Sequence, residues 1–253
     1  MDLSTFDGLW WVLLLLGPLL LSQRRLHYEI QAVLLMLTRR AEMAIALFAI
    51  LFLPGVFLHE LSHFLMAQAL GVRTGRFSLL PQSIPGGRLR LGYVETENTD
   101  IARDALIGVA PLIAGGVFVA FAGLMQLNLP SVWEAWQAND GLILRQSLEN
   151  LLNTPDFWLW FYLTLAVSST MFPSASDRRA WLPVLLVAAG ILGTGLLMGA
   201  GPWLVENLGQ PINQVFRGVG AVFAVSLAVQ LILLLPIFLV RRLLNRLTGL
   251  KVA

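Results

Sequence analysis

Four stretches of this chain carry no charged residue over 20 or more positions: 105–133, 157–176, 180–205 and 218–240. A helix needs about 20 mainly apolar residues to cross the hydrocarbon core of a bilayer. A fifth stretch, 43–72, is apolar apart from His59, Glu60 and His63, and a sixth, 8–22, is short and contains Pro18. Composition agrees. Of 253 residues, 57% are hydrophobic and 13% charged, about half the charged share of a soluble domain. The absence of Cys removes disulfides, thiolate chemistry and Cys-ligated metals. The basic residues lie scattered between apolar blocks, as in the loops of a membrane protein, and are not gathered into a nucleic-acid groove. The expected fold is therefore an all-α integral membrane protein of about six transmembrane or interfacial helices. Its surroundings are the lipid bilayer, and no nucleic-acid partner is expected.

The chain begins with Asp2 and Asp7 but no early cation or small-residue cleavage site. A retained span or an interfacial helix is expected over 8–22 rather than a cleaved signal. Residues 23–42 hold four Arg, with Ile30, Val33, Leu34 and Leu37 at helical spacing, which predicts a helix along the membrane surface. Residues 73–104 predict a β-hairpin with arms at 76–80 and 88–94, the second alternating Arg88, Leu89, Arg90, Leu91. Residues 131–153 predict a surface helix carrying Trp133 and Trp136. If successive stretches alternate across the membrane, eleven of the 17 basic residues, including Arg241, Arg242 and Arg246, fall on the hairpin side. Six, including Arg24, Arg25 and Arg217, fall on the other. That bias predicts a multi-pass protein of the cell membrane with the hairpin cytoplasmic.

The string His59-Glu60-Leu61-Ser62-His63 carries the chemistry. Residues four apart share one helix face, so both imidazoles can converge on one ion. Glu60, adjacent to the first, is placed to take a proton from bound water. Two His and a Glu within an apolar helix are expensive to bury unless paired or ligated. Zinc is the expected ion, because it accepts imidazole and carboxylate ligands tetrahedrally and keeps one position for water. For a third ligand, His27 reads as a surface histidine, and most carboxylates belong to loops or interfaces. Asp177 differs, because it ends a 20-residue uncharged run just after Pro173, which should break the helix and let a following side chain turn inward.

With those residues in place, the run 59–64, then Ala67, then Gly71-Val72-Arg73-Thr74-Gly75-Arg76-Phe77-Ser78-Leu79, resembles the site-2 protease family of intramembrane zinc metalloproteases. The resemblance covers about residues 42–182. It implies a catalytic core there with its hairpin over 73–98, flanked by an N-terminal span and interfacial helix (1–41) and C-terminal transmembrane helices (183–253). The family takes its third ligand from an Asp in a later span, a position that Asp177 matches, although Ser169 stands where the family has Asn and Arg178 where it has Gly. By resemblance the chain is an intramembrane metalloendopeptidase with one Zn²⁺, bound by His59, His63 and Asp177, and Glu60 as general base. Its partners are then transmembrane protein or peptide substrates. Ser168, Ser169 or Thr170 would hold the scissile carbonyl, and Arg88, Leu89, Arg90 and Leu91 would offer a strand edge to the unwound substrate. The competing reading is a non-proteolytic multi-pass protein with a structural or transport metal site, which has little need of Glu60.

Overall fold

The computed structural model describes residues 6–84 and 88–249. It is helical apart from one small β-element. In chain order come α1 (Asp7–Thr38), α2 (Ala41–Leu51), α3 (Leu53–Ala69), β1 (Thr74–Ser78), β2 (Gln82–Ile84), β3 (Arg88–Arg90), β4 (Tyr93–Thr96) and α4 (Ile101–Phe121). Then follow α5 (Leu129–Gln137), α6 (Gly141–Leu152), α7 (Phe157–Ser168), α8 (Trp181–Leu197) and α9 (Gly201–Thr248). A π-type segment at Ala122–Gln126 prolongs α4.

Among the described residues, two helices, Ile101–Gln126 and α9, are long and apolar enough to cross a membrane, or three spans if the bent pair α2–α3 counts as one. The chain is thus an all-helical membrane protein with a small β-hairpin. α7 and α8 are apolar but only 12 and 17 residues long, and α8 buries none of its residues. The two helices α2 and α3 meet at 67°, where Pro54 occupies the first turn of α3; a proline there needs no amide partner but cannot extend the preceding helix. The predicted surface helix at 131–153 is two helices, α5 and α6. Asn139 takes a left-handed conformation between them (φ 51°), and Asp140 caps α6 through the Leu142 and Ile143 amides.

The predicted surface helix at 23–42 is not separate. It continues α1 without a break, because its polar side chains find partners inside the bundle. Ser22 donates to Gln230 of α9 (2.6 Å), Gln23 donates to the Ser169 carbonyl (2.7 Å), and the fully buried Glu29 pairs with Arg25 (2.7 Å) and Arg241. At the other end of the helix, the Gly8 amide donates to Asn213 (2.9 Å) and Asp7 pairs with Arg217 (2.9 Å). The partners rise in number together, so α1 and α9 run parallel. Between the Asp7–Arg217 and Glu29–Arg241 pairs the facing residues are uncharged until Arg24 and Arg25. Asp7 to Arg25 is about 27 Å of helix and Arg217 to Arg241 about 36 Å, which bracket the roughly 30 Å of a hydrocarbon core. The pairing corrects the cation count. Arg24 and Arg25 share an end of the pair with Arg241 and Arg242, and Arg217 lies at the other end, whereas the cation count put Arg24 and Arg25 opposite Arg241 and together with Arg217.

The hairpin is two nested ladders. β1 pairs antiparallel with β4 (Thr74 with Thr96, Ser78 with Tyr93), and β2 pairs with β3 (Gln82 with Arg90, Ile84 with Arg88). Leu79 and Leu91, where the two ladders join, pack on a core of Leu26, Phe48, Phe52, Val56 and Leu165. The hairpin is thereby folded back onto α3 beside the polar string.

Candidate metal centre

α3 buries Val56, Glu60, His63 and Ala67, spaced four, three and four apart, and hence on one face. Its neighbours come close because glycines let them. A Cβ on Gly55 would lie 2.1 Å from the Ala166 carbonyl oxygen of α7. α7 ends at Ser168, five residues before Pro173 and earlier than the proline alone predicts. The carbonyls that follow have no helical partner and are free to bond elsewhere.

One of them orients the first histidine. His59 Nδ1 lies 2.6 Å from the Thr170 carbonyl oxygen, and His63 Nδ1 lies 2.8 Å from the Ile107 carbonyl oxygen of α4. A carbonyl only accepts, so each Nδ1 carries the hydrogen and donates it. Each Nε2 is then left with a lone pair, and the two lie 3.2 Å apart. Asp177 closes the third side, its carboxylate oxygens 3.8 Å from His59 Nε2 and 3.6 Å from His63 Nε2. It is held there by the Ser174 amide, which donates to Oδ2 at 2.7 Å.

Three acceptors therefore converge with no hydrogen among them. A cation shared by all three would engage lone pairs that have no hydrogen between them. The donor set fits a tetrahedral ion: metal–ligand bonds of about 2.0–2.2 Å imply ligand separations of about 3.3–3.5 Å, near those seen. His59, His63 and Asp177 are the metal-capable group found among the described residues. The Nδ1 bonds to carbonyls are the outer-shell contacts that fix ring tautomer in such sites.

The surrounding cavity has a volume of about 810 Å³ and is lined by Glu60, Leu91, Gly92, Ser169, Thr170 and Phe172 among others. Of the other predicted substrate-binding residues, Ser168 is fully buried and its hydroxyl donates to the Leu165 carbonyl, so it does not reach the cavity. Thr170 contributes its carbonyl, while its hydroxyl bonds back to Ala166 (3.0 Å). Arg88, Leu89 and Arg90 form β3, paired with β2, and their side chains lie outside the described part of the structure. His27 also departs from expectation. Rather than facing solvent, it packs edge-on against Phe48 and Phe52 (ring centroids 5.3 and 4.9 Å apart) and lines the same cavity without joining the ligand group. Glu42 is exposed and Glu29 is engaged with arginines, so neither competes with Asp177.

Sequence reasoning missed the glycines. A Cβ on Gly108 would sit 1.9 Å from the Asp177 carbonyl oxygen, and one on Gly92 would sit 2.9 Å from Glu60 Cγ and 3.0 Å from Val56. Nor did it find the pair formed by Arg179 and Asp104, two bonds of 2.7 and 2.6 Å that tie the Asp177 loop to α4. That pair is half exposed, worth about 1 kcal/mol or less, and its service is geometric. For Gly92→Ala we expect Glu60 to be pushed aside. Metal content should stay at the wild-type level while any Glu60-dependent turnover falls about tenfold, measured on the same preparation.

Compared with known proteins, the chain matches no family model, no curated sequence and no solved structure at a significant level.

Proposed function

We propose that the chain is an intramembrane zinc metalloprotease that hydrolyses peptide bonds in or near the transmembrane segments of membrane-anchored substrates. The observation that carries this reading is the meeting of two lone-pair-bearing imidazoles and a carboxylate beside a buried glutamate, inside an apolar bundle. The resemblance of residues 59–79 to site-2 proteases supports it.

His59, His63 and Asp177 would hold the ion, which supplies Lewis acidity and lowers the pKa of a bound water to about 7. Glu60 accepts a proton as the water oxygen bonds to the scissile carbonyl carbon. It then returns that proton to the amide nitrogen as the C–N bond breaks, so nothing else is consumed. The low dielectric of the bundle strengthens both charge interactions. The substrate must be extended at the cut, because a helix shields its own peptide bonds. β4 lines the cavity through Val94, Glu95 and Thr96, with one edge paired to β1, and its other edge offers ladder bonds to an extended segment.

The test is metal removal and return. Purified protein in micelles should contain about one zinc per chain, lose all cleavage of a transmembrane peptide on chelation, and regain it with added zinc. Metal binding without cleavage would favour the structural or transport reading instead.

The parallel pair of α1 and α9 supports a finer topology. We place an odd number of crossings, with α1 and α9 the first and the last of them. An even count would not let α1 and α9 run the same way. The chain lacks Cys, so single cysteines report cleanly: Phe6→Cys and Gly249→Cys should label from opposite faces of the membrane. Labelling from one face would restore six crossings. Whether the hairpin side is cytoplasmic, as the count of basic residues predicts, is read from the same experiment in intact cells.

A further inference from the structure

Resting on the metal-site reading, we propose that Gln23 of α1 is a positioning residue of the metal centre, acting through the loop that follows α7. Gln23 is an uncharged amide at the end of an otherwise apolar run, at a depth where an unpaired polar side chain is costly. It spends its Nε2 hydrogen on the Ser169 carbonyl oxygen at 2.7 Å. The next carbonyl in the chain, that of Thr170, takes the His59 Nδ1 hydrogen at 2.6 Å. Neither oxygen has a helical partner, because α7 stops at Ser168, so their directions are set by what they meet outside the helix. Consecutive peptide planes share one Cα. Fixing the Ser169 carbonyl therefore restricts where the Thr170 carbonyl can point, and with it the His59 ring. The same segment runs on through Met171, which packs on Leu19 of α1, to Ser174 and Asp177. One amide in α1 thus braces both the tautomer-fixing acceptor of one ligand and the start of the loop that carries another.

This gives the N-terminal helix, which lies outside the part of the chain that resembles site-2 proteases, a defined share in the centre. The neighbouring Ser22 provides the control: its hydroxyl bonds Gln230 of α9 at 2.6 Å and the Leu19 carbonyl at 2.9 Å, so it joins helix to helix without touching the loop.

The experiment uses the full chain in micelles, with zinc affinity read by chelator competition and the centre's geometry by the visible absorption of the Co²⁺-substituted protein. Gln23→Leu should weaken zinc binding by about 10- to 100-fold, the usual loss when an outer-shell partner is removed, and should shift the Co²⁺ bands. Ser22→Ala should lower thermal stability of the metal-free protein while leaving zinc affinity and the Co²⁺ spectrum as in the wild type. Wild-type affinity and spectrum in Gln23→Leu would overturn the proposal while leaving the metal centre standing. Equal losses in both variants would reduce Gln23 to a packing residue. A wild-type chain that binds neither ion would overturn the metal centre, and this inference with it.

Discussion

Glu60→Gln should leave zinc bound and stop hydrolysis. The carboxylate lies on the buried face of α3 beside both histidines and lines the cavity, but it is not among the three groups that converge on the ion's position. The amide of glutamine has nearly the same shape and no basicity, so packing against Val56 and Gly92 survives while proton transfer does not. General acid–base groups contribute about 10²–10⁴-fold, and one that serves both steps belongs at the upper end. We expect a fall of about 10³-fold or more in cleavage of a transmembrane peptide, with the zinc-to-protein ratio unchanged. Full activity in this variant would remove the protease reading. Loss of zinc along with activity would instead make Glu60 a ligand.

Gly108→Ala should come close to Asp177→Ala in its effect, although Gly108 carries no functional group. The added methyl would meet the Asp177 carbonyl oxygen at 1.9 Å, far inside any real contact. That neighbour is backbone pinned by the Ser174 turn and the Arg179–Asp104 pair, and cannot give way as a flexible side chain can. The loop must lift off α4, taking the carboxylate with it. Asp177→Ala removes one of three ligands outright, and both variants should bind less than one-tenth of the wild-type zinc under the same chelator. Gly116→Ala is the control on the same helix, because open space surrounds that position. Wild-type metal content in Gly108→Ala would show that the loop does not rest on α4.

What was readable in the sequence depended on periodicity and charge. The apolar runs and the pair His59 and His63 announce themselves, because one residue type at one spacing carries the information. Asp177 could be reached because it closes a 20-residue uncharged run just after Pro173 and matches the position of the third ligand in the family that residues 59–79 resemble. What the sequence hid was supplied by backbone. The carbonyls of Thr170 and Ile107 that set the imidazoles have no residue signature, and Gly92 and Gly108 look like any other glycine until their neighbours are known. The continuous α1 was hidden for a different reason. Arg24, Arg25 and Glu29 look like a surface charge pattern when read alone; the two arginines do stay exposed, but Glu29 is interior because Arg241, more than two hundred positions away, completes its ion pair. Ser168 was misjudged because proximity in sequence to a helix end does not tell which way a hydroxyl turns.

The ligands enter the chain in an order that bears on how the protein is made. His59 and His63 leave the ribosome together, and Asp177 follows more than a hundred residues later, after α4 and α7 have been threaded. A nascent chain with only its first segments inserted carries both imidazoles and Glu60 but not Asp177, so the three-membered group is not yet complete. Late arrival of Asp177 thus delays completion of the candidate metal site until most of the bundle has been made.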